Sequence, residues 1–146
     1  DETGIVVCAK GTDEKFYVLD DVSGKYSPDA WAKVAVETYY KYDADKIIAE
    51  VNNGGDLVER VIRTIDNNIS YGSVRATKGK YLRAEPISAL YEQNRVKHLK
   101  PFQFLEDQMA NYNPTTFSGS PDRLDALVWG ITELSQRTGK VNWRIS

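Results

Sequence analysis

Cysteine, histidine and methionine each occur once in the 146 residues, and the first two scarcities each remove a class of protein. The single cysteine, Cys8, sits in the apolar run IVVCA. It permits no internal disulfide and no cysteine-ligated zinc, which points to an intracellular protein in which Cys8 is a small buried hydrophobe. The sole histidine, His98 in VKHLK, leaves no H-E-x-x-H helix and no paired-histidine metal site, and reads as a strand side chain. A Ser-His-Asp triad using it stays open, although no G-x-S-x-G elbow is present to carry the nucleophile. The G-x-x-x-x-G-K-[ST] phosphate loop is missing, which excludes ATP hydrolysis by that mechanism. No apolar run reaches about 18 residues, so neither a transmembrane helix nor a signal peptide is expected. The chain begins with Asp rather than Met, as a piece of a longer protein would. Positive charge is not in excess either. Nineteen Lys and Arg face 21 Asp and Glu, a net charge of −2, which argues against holding nucleic acid by bulk charge.

What is present is more specific. The length suits one domain that buries roughly 70% of its unfolded surface around one core. No repeat, linker or low-complexity segment interrupts the chain, so residues 1–146 read as a single domain. Charge is unevenly spread: from Arg75 to Lys100 seven basic residues stand against two acids, in a chain that is acidic elsewhere.

Periodicity orders the elements. Thr3 to Ala9 and Phe16 to Leu19 are β-branched and apolar, and Gly11 to Lys15 between them suits a hairpin loop. Ser27-Pro28-Asp29 starts a helix that ends near Asp43. Lys46 to Val51 is a strand broken by Asn52-Asn53-Gly54-Gly55. A helix follows from Asp56 to about Ile65, with Leu57, Val61, Ile62 and Ile65 on one face. Tyr71 to Ala76 is a strand, Lys80 to Gln93 a helix that Pro86 should shorten or kink, and Arg95 to Leu99 another strand. Pro101 to about Tyr112 is helical, and Asn113 to Gly119 a loop. Ser120 then caps a last helix whose first residue is Pro121 and whose apolar stripe is Leu124, Leu127, Val128, Ile131 and Leu134. The tail from Thr138 to Ser146 carries no clear signal. A leading hairpin followed by alternating helices and strands predicts an α/β fold with a mixed sheet, its later strands parallel, flanked by helices. In such sheets ligands sit at the carboxyl ends of the parallel strands.

Two places stand out on that plan. Glu50 falls at the carboxyl end of a strand apolar enough to be internal, where a carboxylate is costly to bury unless it is paired or binds a cation. A Glu facing water from an edge strand, or accepting hydrogen bonds from the turn, reads equally well. Gly54-Gly55 ahead of the Asp56 helix would let a phosphate approach, though strand-to-helix turns need such residues anyway. Asp122 and Asp125 open the last helix. An acid in a first turn is favoured by the helix dipole alone, yet an i, i+3 pair away from the apolar stripe is also available to a site. Trp31 and Trp129 read as packing residues.

Three segments then converge. AEVNNGGDLVERVI at 49–62, RATKGKYLRAEPISALYEQNRVKH at 75–98 and SPDRLDALVWGITEL at 120–134 resemble the C-terminal nuclease domain of the large terminase subunit of tailed phages. DETGIVV and GKYSPDAWAKVAV are similar to the start of that domain, so the likeness runs in order through nearly the whole chain. The resemblance implies a ribonuclease H-like fold and an endonuclease that cuts concatemeric double-stranded DNA with two Mg2+ or Mn2+ ions. It implies metal-ligating, catalytic roles for Glu50, Asp122 and Asp125, and an ATPase domain upstream. It also implies a first strand ahead of Asp1 carrying a further aspartate between the metals, with Asp1 itself near them. Hydrolysis between two ions needs several hard oxygen ligands, which carboxylates supply. The basic stretch gains a role as well: Lys78, Lys80 and Arg83 become candidate contacts to DNA phosphates, which set position rather than sequence preference. The implied partners are double-stranded DNA, the phage portal and the small terminase subunit, with no membrane, in the cytoplasm of the bacterial host. Two other readings stay open: a non-cleaving domain of the same fold that binds DNA or packaging partners, and another ribonuclease H-like nuclease such as a junction resolvase.

Overall fold

The structure is a computed structural model that describes residues 2–51, 56–75, 80–112, 122–136 and 142–145. Strands β1 (Val6–Lys10) and β2 (Phe16–Asp21) form the expected antiparallel hairpin, running from Val6 opposite Asp21 to Lys10 opposite Phe16 with a register shift between Val7 and Cys8. Ser27 caps helix α1 (Pro28–Lys41) by accepting from the Ala30 N–H at 3.3 Å, with Pro28 in the first turn where its missing N–H is harmless. Strand β3 (Lys46–Glu50) follows. Helix α2 (Leu57–Ile65) is capped by Asp56, whose Oδ1 accepts from the Glu59 N–H and from the Tyr71 hydroxyl, both at 2.8 Å. That second bond ties the start of α2 to strand β4 (Tyr71–Val74).

Helix α3 (Lys80–Glu92), strand β5 (Val96–His98), helices α4 (Gln103–Asn111) and α5 (Asp122–Ser135) and strand β6 (Asn142–Ile145) complete the chain. Helix α3 runs past Pro86, so the expected shortening does not occur. Pro86 is exposed, and the helix continues through it although proline lacks the N–H that would close one intrahelical hydrogen bond. Asn52 to Gly55 and the Asn113–Gly119 loop with its Ser120–Pro121 cap lie outside the described residues.

The six strands make one mixed sheet in the order β4-β3-β6-β1-β2-β5. Strand β3 is parallel to β4 and β6, β1 is antiparallel to β2 and β6, and β5 lies parallel to β2 at the far edge. The position between β1 and β3 is thus filled by β6, a strand that the weak pattern of the tail did not announce. Alternation along β1 sends Val6 and Cys8 to one face and Val7 and Ala9 to the other. Helices α3, α4 and α5 cover the first face, through Ile87, Leu105, Leu127 and Ile131. Helices α1 and α2 cover the second, through Ala32, Ala35 and Ile62. A strand buried on both faces reads as a continuous apolar run, which is why IVVCA does not alternate. Cys8 is fully buried as expected, and burial pushes its thiol up to about 12. Among the described residues no helix is long and apolar enough to cross a membrane.

Candidate active site

A cleft of about 460 Å³ opens at the carboxyl end of β3. Strand β6 pairs with β1 and β3 as far as Ile145, which lies opposite Val7 and Ile47. The chain approaching β1 (Thr3 to Ile5) and the end of β3 (Ile48 to Glu50) are walls of the cleft. It therefore lies where parallel β3 runs out, the position at which open α/β sheets hold ligands. Trp31 of α1 and Ile62 of α2 line its apolar side, and the start of α5 lines the other.

Helix α5 presents two stripes. Leu124, Leu127, Val128, Ile131 and Leu134 are buried in the core, as their spacing predicts. Asp122, Asp125, Ala126 and Trp129 stand at i, i+3, i+4 and i+7 and all face the cleft. Between the stripes Arg123 is only 8% exposed. Its Nη2 donates to Glu2 Oε2 at 2.9 Å and its Nη1 to Asp21 Oδ2 at 2.8 Å, while the guanidinium lies 5.1 Å from the centre of the Phe104 ring. Burial works against its charge, but the hydrogen bonds with Glu2 and Asp21 outweigh that and hold the guanidinium above its ordinary range. The same end of α5 is anchored by Gln108, whose Oε1 accepts from the Leu124 N–H at 3.1 Å.

Gly4 sets how closely the helix can come. A Cβ at that position would stand 2.0 Å from the Asp122 carbonyl oxygen and 2.6 Å from its carbon. Only a residue without a side chain lets the first turn of α5 rest on the N-terminal segment.

Glu50 is the exposed last residue of β3. Its Oε1 accepts from the Trp129 indole Nε1–H at 2.8 Å, and the Arg83 guanidinium of α3 lies 5.0 Å from the centre of the Trp129 ring. Three elements thus meet in one chain of contacts, Arg83 to Trp129 to Glu50.

A family model described as terminase RNaseH-like domain matches residues 1–134. The chain belongs to that family. No curated protein and no solved structure gives a significant match. Membership agrees with the mixed sheet flanked by helices, and makes this a nuclease-type domain of terminases.

RNaseH-like nuclease domains generally use divalent metals. The carboxylate oxygens of Glu50, Asp122 and Asp125 are the hard donors that magnesium or manganese takes, and all three line the cleft of this terminase domain. In kind they fit. In number, no group of three His, Cys, Asp or Glu side chains stands close enough to hold an ion among the described residues. Asp1, which the resemblance sets near the metals, lies outside those residues, as does Lys78; Lys80 is described only as the first residue of α3. His98 sits in β5, away from the cleft. Tyr91 and Glu106 take its two ring nitrogens at 2.7 Å and 2.9 Å, so neither serves a nucleophilic serine.

Three residues at the site were not singled out by pattern alone. Composition gives Trp129 as a packing residue, yet it shares the row of Asp122 and Asp125, and that row is the signal for it. Gly4 carries no signal in a single sequence. Arg123, between two candidate ligands, would have been placed on the surface by charge.

Proposed function

We propose that this domain is the metal-dependent DNA endonuclease of a viral packaging terminase, cutting concatemeric double-stranded DNA by two-metal phosphodiester hydrolysis. The observation that carries the reading is the convergence of Glu50, from the end of β3, with Asp122 and Asp125, from the first turn of α5, on one cleft. In this reading the three carboxylates hold the ions, with Asp1 as a fourth. Bound there, Mg2+ or Mn2+ would supply Lewis-acid charge at the scissile phosphate. The protein's own part is to hold the carboxylates in place, to wall one side of the cleft with Trp31 and Ile62, and to meet the DNA backbone with cations. Arg83, at the Trp129 side of the cleft, is the best supported of those cations, with Lys78 and Lys80 on the same stretch. Portal and small-subunit contacts, an upstream ATPase domain and a place in the host cytoplasm complete the proposal.

The test is cleavage of a supercoiled plasmid with Mn2+. Glu50→Ala and Asp122→Ala should each slow it at least about 100-fold, the scale of losing one electrostatic stabiliser of a transition state. Cleavage that survives both substitutions overturns the site. A second reading, a domain that holds DNA or packaging partners without cutting, draws on the lack of a three-ligand group among the described residues. It is favoured if DNA is retained with no Mn2+-dependent cleavage.

A further inference from the structure

We propose that Trp129 is a positioning residue that makes Glu50 a one-oxygen ligand, an inference that rests on the cleft being a cation site. A glutamate at an exposed strand end has three rotatable bonds and no reason of its own to hold one rotamer. Here Oε1 accepts the indole N–H at 2.8 Å, which leaves Oε2 as the oxygen to offer a cation. The identity of the donor matters. An arginine or lysine in that place would neutralise the carboxylate and compete with a metal ion, whereas an indole N–H orients it and leaves its full charge.

The indole is itself well placed to act as a reference point. It projects from the helix that carries Asp122 and Asp125, one and two turns further along their row. One rigid element therefore sets the position of Glu50 relative to both aspartates. From α3, the guanidinium of Arg83 packs on the ring face, a cation–π contact that holds the indole from the other side. The candidate DNA contact Arg83 and the candidate ligand Glu50 thus share one intermediary. Outer partners of this kind orient metal ligands, and their loss typically weakens metal binding 10–100-fold.

The deciding variant is Trp129→Phe, which keeps a ring under Arg83 and deletes the N–H. Mn2+ titration calorimetry should show affinity reduced roughly 10–100-fold, with thermal stability close to that of the parent. Glu50→Ala should lose binding more completely. In 1H–15N spectra the indole signal that disappears in Trp129→Phe should move in Glu50→Gln and again on adding Mg2+, a signature that bulk packing would not produce. If Trp129→Phe binds Mn2+ like the parent while Glu50→Ala does not, the cation site stands and the positioning role falls. If Glu50→Ala also binds like the parent, the reading of the cleft fails and this proposal with it. An indole signal unmoved by Glu50→Gln overturns the contact directly, whatever the stability of the Trp129 variant.

Discussion

Two sets of carboxylates flank the start of α5, and they are held in opposite ways. Glu2 and Asp21 close on the buried guanidinium of Arg123, so that two acids from distant parts of the chain share a cation donating to both. Glu50 faces the cleft with Asp122 and Asp125 and is oriented by the neutral N–H of Trp129. The first arrangement joins the N-terminal segment, β2 and α5; its one guanidinium offsets one of the two negative charges within the protein. In the second the charge of Glu50 is oriented but left in place, which suits a carboxylate meant for a cation from outside. Both depend on the same helical turn, and the residues that separate them are one apart in sequence.

The sharpest break of this contrast is Arg123→Ala. It would leave the Asp21 side chain, 4% exposed, with its charge uncompensated, and removing one partner of a buried pair typically costs about 3–5 kcal/mol. Urea unfolding should show a loss of that order, with part regained in Arg123→Met combined with Asp21→Asn, since replacing a whole buried pair is far milder than halving it. A loss below about 1 kcal/mol in the single variant would mean that the joint is ornamental, and the two acid sets would no longer differ in kind.

Gly4→Ala acts where the two sets touch. The new methyl group would collide with backbone of Asp122, which cannot swing aside as a side chain can, and overpacking of this type usually costs about 1–3 kcal/mol. Because the helix must retreat, Mn2+ affinity should fall along with stability. Gly24→Ala is the control: its Cβ would meet the tip of the Tyr26 ring, at 3.0 Å, and a ring tip can give. If both variants unfold at the same urea concentration, Gly4 does not govern where α5 begins.

The asymmetry between these sets also explains how much was legible beforehand. Helix α5 with its Leu124-Leu127-Ile131 stripe is readable because burial on one face imposes a period, and β1 because a strand buried on both faces is a short continuous apolar run. Glu50 and Asp122 were singled out because an acid at a strand end or a helix start raises a question that composition can pose. Their convergence was not readable, since it depends on β3 and α5 meeting at one cleft from distant parts of the chain. Strand β6 was missed because its slot between β1 and β3 is supplied by long-range pairing, and four residues of tail carry too little pattern to show it. Arg123 was missed for a related reason: a cation looks like surface until its two acids, one at residue 2 and one at residue 21, are brought beside it.

The smallest expected effect bears most closely on what the cleft is for. Glu50→Gln keeps the shape of the side chain and an oxygen able to accept from Trp129, and removes one negative charge from a cleft that holds three acids. Without metal, unfolding should be unchanged within about 0.5 kcal/mol or slightly harder, because an exposed charge contributes little and like charges repel. With Mg2+ added the order should reverse. The parent gains stability by mass action as the ion binds the folded form, by RT ln(1 + [Mg2+]/Kd), and the variant gains less. A site built for folding would lose stability without metal; a site built for a cation shows its loss only when the cation is present. A destabilisation above about 1 kcal/mol in metal-free buffer would therefore move Glu50 to the side of Glu2 and Asp21, among the carboxylates that hold the protein together.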